Sequence, residues 1–190
     1  MTTTTIEWIR SDDGMPGESW NPIVGCSVKS KGCVNCYAMV IAARLACIGS
    51  TKAKYEGTTQ RVNGNAVWTG RLNFDEQALL APHGWKKPRR VFVNSMRDLF
   101  HEGISAAWLD RVFAVMRDCP RHTFMVLTKR PEEMRAYLLA KPALRNVWLG
   151  VSTEVNRPLK SASRSCWPRL RRSGGSAPSR YWSRCSSTPN

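Results

Sequence analysis

His122-Thr123-Phe124-Met125-Val126-Leu127-Thr128-Lys129-Arg130-Pro131 and, further on, Asn146-Val147-Trp148-Leu149-Gly150-Val151-Ser152 bracket the stretch that decides the fold. Each is a short apolar run closing on polar residues, the pattern of a strand buried on both faces. Between them Pro131 occupies a first helical position, where its missing N–H costs nothing, and opens a predicted helix over residues 132–140. The same unit stands upstream. Arg90-Val91-Phe92-Val93-Asn94-Ser95 is another such strand, and Ser105 can cap a helix over residues 106–117 that sets Trp108, Val112, Val115 and Met116 on one face. Short apolar strands alternating with amphipathic helices predict an α/β fold with a parallel sheet.

Polar residues crowd at the C-terminal ends of these strands: Asn94, Ser95 and Asp98, then Thr128, Lys129 and Arg130, then Ser152, Thr153 and Glu154. That edge binds ligands in a parallel barrel and holds the crevice of an open parallel sheet. Loops after strands are polar in any case because they face water, but hydroxyl, amide, cation and carboxylate groups on three successive ends exceed that background. Lys129 and Arg130 divide evenly between a solvated pair leading into a helix and a cation pair for a ligand carboxylate. Asn94, Ser95, Ser152 and Glu154 are the candidates for ribose hydroxyls or substrate.

Toward the N-terminus the pattern loosens. Residues 2–8 are β-prone, residues 11–18 read as a loop, and residues 49–66, with three glycines, read as an irregular excursion. Residues 67–74 alternate as a strand, and Asp75-Glu76 begins a helix with acid in its first turn. Within this part lies Gly25-Cys26-Ser27-Val28-Lys29-Ser30-Lys31-Gly32-Cys33-Val34-Asn35-Cys36-Tyr37-Ala38, followed by a predicted helix to about Cys47. Three thiolates on one loop are one ligand short of a closed metal site. Glycines before Cys26 and Cys33 let the backbone bend close to whatever the sulfurs hold. A helix N-terminus after Cys36 places a positive dipole end beside them. Two metals fit. Zinc wants a fourth ligand, for which Cys47, His83, His101 and His122 are available but none at the usual spacing. An iron–sulfur cluster on Cys26, Cys33 and Cys36 leaves one iron open for cofactor chemistry, and the three-thiolate arrangement favours it. Cys47 and Cys119 read as small buried core residues.

The chain of 190 residues suits one domain, and no run of eighteen apolar residues offers a membrane span. No signal peptide is visible, so a cytoplasmic location without disulfides is expected. The net charge of +15 is uneven, because residues 155–190 hold eight basic and no acidic residues, leaving +7 for residues 1–154. The chain therefore divides into a body, 1–154, and a Ser/Arg/Pro-rich tail, 155–190, without sustained periodicity. A disordered basic arm for phosphate backbones is one explanation of the tail. Translation of a GC-rich gene out of frame is the other, favoured because the tail begins in mid strand-to-helix connection. A shifted frame would truncate the fold at its C-terminus and leave this copy inactive. The basic body, with Trp85 beside Lys86-Lys87-Pro88-Arg89-Arg90, also admits a nucleic-acid-associated protein with a structural zinc.

Glu7-Trp8, Trp20-Asn21-Pro22-Ile23-Val24-Gly25-Cys26, the Gly32 to Ala38 segment, Arg61-Val62-Asn63-Gly64, Trp68-Thr69-Gly70, Val93-Asn94-Ser95-Met96-Arg97-Asp98-Leu99-Phe100-His101, Val126-Leu127-Thr128-Lys129-Arg130-Pro131 and Asn146 to Ser152 resemble a phage-associated family, the phage gene-product thirty-seven/sixty-eight family. The resemblance covers about residues 4–154. Its three-cysteine motif is similar to that of radical-SAM enzymes. It implies a partial parallel βα barrel, a 4Fe–4S cluster on Cys26, Cys33 and Cys36, and S-adenosylmethionine on the open iron, cleaved to a 5′-deoxyadenosyl radical. It also implies a phage setting, with an unknown substrate, nucleic acid or a partner protein encoded nearby. The spacing departs from the radical-SAM pattern, with six residues rather than three between Cys26 and Cys33.

Overall fold

The computed structural model describes residues 2–4, 9 and 17–152. Glu154 and the tail of residues 155–190 lie outside the described residues. The centre is a five-stranded sheet. Its edge strand β1 (Thr2–Thr4) runs antiparallel to β2 (Gly17–Trp20), which then pairs in parallel with a strand far along the chain. Between β2 and that partner lie β3 (Ile23–Val24), α1 (Tyr37–Leu45), α2 (Lys52–Tyr55), β4 (Thr59–Val62), β5 (Asn65–Trp68), β6 (Asn73–Phe74) and α3 (Glu76–Leu80). The partner is β7 (Arg90–Val93), followed by α4 (Ala106–Asp118), β8 (Thr123–Thr128), α5 (Pro131–Leu138) and β9 (Val147–Val151). The sheet order is β1-β2-β7-β8-β9, so four adjacent strands run parallel, in chain order and without reversal.

The helices form where their caps and apolar faces dictate. Ser105 accepts from the Trp108 N–H at 3.3 Å and Asp75 from the Ala78 N–H at 2.9 Å, each satisfying a donor that the first turn leaves orphaned. α4 turns Leu109, Val112, Val115 and Met116 onto the sheet, where β7 and β8 supply Val91, Val93, Phe124 and Val126. Each such side chain, fully buried, stabilises the fold by roughly 1.5–3 kcal/mol. Trp108 stays partly exposed at the rim, its ring tilted against that of Phe74 with centroids 4.9 Å apart. A second, smaller cluster of Val24, Ala38, Met39, Ala42, Tyr55, Trp68 and Met96 packs beneath α1.

Three sequence expectations need correction. Residues 17 and 18 belong to β2 rather than a loop, and Glu18 is buried there against Arg89. Residues 49–66 are not irregular: they hold α2 and the first strand of the β4–β5 hairpin. The hairpin turns at Asn63 and Gly64, with φ of 49° and 79°, the two consecutive left-handed residues of a type I′ turn. The expected strand over residues 67–74 is broken after Trp68, where Gly70 at φ 86° redirects the chain before β6 pairs with β3. Strand alternation continued there because both halves have a buried face, while the glycine between them carried the real signal.

Candidate functional site: a three-thiol cavity at the strand ends

The four parallel strands deliver Trp20, Val93, Thr128 and Val151 to one edge, and a cavity of about 760 Å³ opens beyond it. Cys26, Cys33 and Cys36 all line this cavity, and all are partly buried free thiols. So do Asn94, Ser95, Lys129, Arg130 and Ser152, so the polar strand ends and the cysteine loop meet in one place. Tyr55, Trp68, Phe92 and Ile41 supply its apolar wall.

Backbone geometry holds the cysteine loop. Gly25 has φ 89°, and a Cβ on it would stand 2.0 Å from the Arg71 carbonyl oxygen, so only glycine passes this point. Gly32 lies within a single 3-10 turn, Lys31–Cys33, and Cys36 is the N-cap of α1. The first turn of α1 carries no acidic residue, which leaves its positive dipole end facing the sulfur of Cys36 uncompensated. Tyr37 then ties the helix start to the segment after β7 by donating from its hydroxyl to the Ser95 carbonyl at 2.8 Å.

Asp98 and Arg130 are the buried hub. Asp98 Oδ1 accepts from Thr128 Oγ1 at 2.7 Å and from the Phe100 N–H at 3.0 Å. Its Oδ2 accepts from the Lys129 N–H at 2.7 Å and from Arg130 Nη1 at 3.3 Å. Arg130, only 2 % exposed, also donates from Nε to Glu102 at 2.7 Å and from Nη2 to Ser27 Oγ at 3.3 Å. The expectation that Arg130 pairs a ligand carboxylate therefore meets a guanidinium already occupied on three sides; it ties the cysteine loop to β7 and β8. Lys29 Nζ reinforces this from outside by pairing with Glu102 at 2.6 Å. Burial resists ionisation of Glu102, but Lys29 and Arg130 hold its carboxyl down to about 2.

His101 completes the tie. Its Nδ1 accepts from the Gly103 N–H at 2.9 Å, so Nε2 carries the proton and donates to Ser27 Oγ at 2.7 Å. Burial, with Arg130 and Arg97 nearby, lowers its pKa to about 4 and keeps it neutral. The thiols differ. Burial pushes Cys26 up, against the opposing pull of the Asp98 N–H, Arg130 and Arg97. For Cys33 burial acts the same way but is outweighed by N–H groups of Lys29 and Ser30, the Ser30 hydroxyl and Lys129, and the thiol is lowered.

Sequence reading missed Arg97. It lines the cavity at 8 % exposure, and neither terminal nitrogen has a hydrogen-bond partner among the described residues. Asn94, 2 % exposed at φ 54°, likewise has its amide nitrogen and oxygen both unpartnered. An asparagine at a strand end, three residues before the cation-acid pair Arg97-Asp98, was the available signal.

Other expected ligands lie elsewhere. His83 faces Cys119 at 3.6 Å, and His122 packs edge-on against Trp85 with a ring centroid distance of 5.4 Å. Cys119 is buried as expected, but Cys47 is exposed, two residues past the end of α1. Among the described residues no group of three or more His, Cys, Asp or Glu stands close enough to hold a single metal ion. Trp85 is 4 % exposed and Arg89 pairs with Glu18, so the ring beside the basic run is not offered to a base. No helix among the described residues is long and apolar enough to cross a membrane.

These features define an α/β protein with a parallel four-stranded sheet and a thiol-lined, basic cavity at its C-terminal edge. The chain belongs to the family described as "Protein of unknown function (DUF5131)", which it matches over residues 3–172, 18 residues past Glu154. No curated protein and no solved structure matches it.

Proposed function

We propose that this chain is a radical-SAM-like iron–sulfur protein of the phage-associated kind its motifs resemble, with Cys26, Cys33 and Cys36 holding a 4Fe–4S cluster and the open iron taking S-adenosylmethionine. The observation that carries the reading is the convergence of three thiols and four strand ends on one cavity. The donor set fits the cluster better than zinc. Three cysteine thiols line the cavity without a fourth cysteine, the donor set of a cluster with one open iron, whereas a structural zinc takes four ligands. The candidate fourth zinc ligands also have other partners: His101 holds Ser27 and Gly103, and His83 faces Cys119. Strand order supports a partial βα barrel, because β2-β7-β8-β9 advances in one direction, whereas a doubly wound sheet reverses at its binding crevice.

When bound, the cluster would supply the electron for reductive cleavage of S-adenosylmethionine. The chain's own residues bind and position. Arg130 and His101 fix Ser27, and so Cys26, against the strand ends. Burial raises the Cys26 thiol, and the cations Arg130 and Arg97 act against that rise. Asn94, Ser95, Lys129 and Ser152 face the same space and are placed to bind ligand.

Anaerobic reconstitution with iron and sulfide tests the reading. A brown protein with about four irons per chain is expected. Cys26→Ala, Cys33→Ala and Cys36→Ala should each lower that content, and Cys47→Ala should not. A colourless protein that takes up one zinc would overturn it.

A further inference from the structure

Arg97 presents a buried positive charge whose strongest hydrogen-bonding edge is empty. Its Nε donates to the Asp98 carbonyl at 3.1 Å, which fixes the plane of the guanidinium, while Nη1 and Nη2 have no partner among the described residues. The neighbouring carboxylates do not supply one. Asp98 already accepts four hydrogen bonds, and Glu102 is occupied by Lys29 and Arg130. Asn94 beside it is held by its own N–H to the Trp20 carbonyl at 2.8 Å and by its carbonyl to the Arg97 N–H at 3.0 Å, with both side-chain polar atoms unsatisfied. An unmet buried donor costs free energy in the empty protein, most of all when it is charged.

We propose that Arg97 and Asn94 form an oxyanion subsite that takes a carboxylate or phosphate of the substrate. The two terminal nitrogens of a guanidinium match the two oxygens of such a group, and the Asn94 amide adds a further donor beside them. The Asn94 Oδ1 then receives a hydroxyl or amine next to the anion. Phe92, Trp68 and Tyr55 on the cavity wall suit a flat apolar body attached to it. Calling the bound molecule the substrate rests on the iron–sulfur reading; oxyanion binding by this pair does not.

The test uses the purified full chain without iron, so that it can succeed even where reconstitution fails. Calorimetric titration with adenosine monophosphate and with phenylacetate separates the phosphate and carboxylate sources, and adenosine is the uncharged control. At least one oxyanion probe should bind and weaken by roughly ten- to hundredfold in Arg97→Gln. Arg97→Lys, which keeps the charge but loses the two-pronged edge, should weaken it too, while adenosine behaves alike in all three proteins. Because Arg97 is an unpaired buried charge in the empty chain, Arg97→Met should raise the thermal midpoint. A lowered midpoint with unchanged probe binding would make Arg97 structural and overturn the inference. So would failure of the folded wild-type chain to bind either probe at millimolar concentration. Displacement of the bound probe by S-adenosylmethionine would transfer the subsite to that cofactor's carboxylate and overturn its assignment to substrate.

Discussion

Asp98→Asn tests whether the buried hub holds the cysteine loop to the sheet. The substitution keeps the volume and removes one acceptor oxygen and the charge. Whichever way the amide turns, its NH₂ faces two donors: Thr128 and the Phe100 N–H on one side, or the Lys129 N–H and Arg130 Nη1 on the other. Arg130, at 2 % exposure, is left with only the exposed Glu102 to offset its charge. Breaking one partner of a buried ion pair costs about 3–5 kcal/mol, and that is the destabilisation expected here. Urea unfolding followed by circular dichroism measures it, with Arg130→Met and the double variant completing a cycle. The double variant should lose less than the sum of the two single losses, since no charge is then stranded. A loss below about 1 kcal/mol for Asp98→Asn, or strict additivity in the cycle, would refute the hub.

Other outcomes follow from the same geometry. His101 is held below its unfolded value of 6.5, at about 4, so the unfolded chain binds the extra proton first. Stability should therefore fall as pH drops from about 6.5 to about 4, by on the order of 3 kcal/mol, and His101→Gln should flatten that slope. Burial, Arg130 and Arg97 oppose the charge while Glu102 and Asp98 favour it, and a slope unchanged in His101→Gln would take the dependence from His101 and give it to Glu102, whose carboxyl is held down to about 2. Lys29→Ala, by contrast, removes an exposed pair with Glu102 and should leave the urea midpoint nearly unchanged, with any small loss vanishing in high salt. Gly25→Ala must place its Cβ on the Arg71 carbonyl at a positive φ, and a loss of roughly 2–4 kcal/mol is expected. Far-ultraviolet circular dichroism through thermal unfolding would expose an unaltered Gly25→Ala protein and defeat that argument.

The alternation of strands and helices after Arg90 was legible because local chemistry writes it: apolar runs, Ser105 as a cap, Pro131 at a helix start. Their parallel pairing follows from the helices between them. The hairpin turn at Asn63-Gly64 and the break at Gly70 were equally local but were overlooked in a stretch with little apolar periodicity. The three cysteines and the strand-end residues could be nominated one by one, since each carries its chemistry in its side chain. What no local pattern contains is how donors are shared. Arg130 and Arg97 look alike in sequence, each a cation shortly after a strand. Only the fold brings Asp98, Glu102 and Ser27, separated by up to 75 residues, onto the first and leaves the second with an empty edge. Hydrogen-bond satisfaction is a property of three-dimensional neighbours, so tertiary structure alone decided which arginine is fully paired and which keeps an unmet edge.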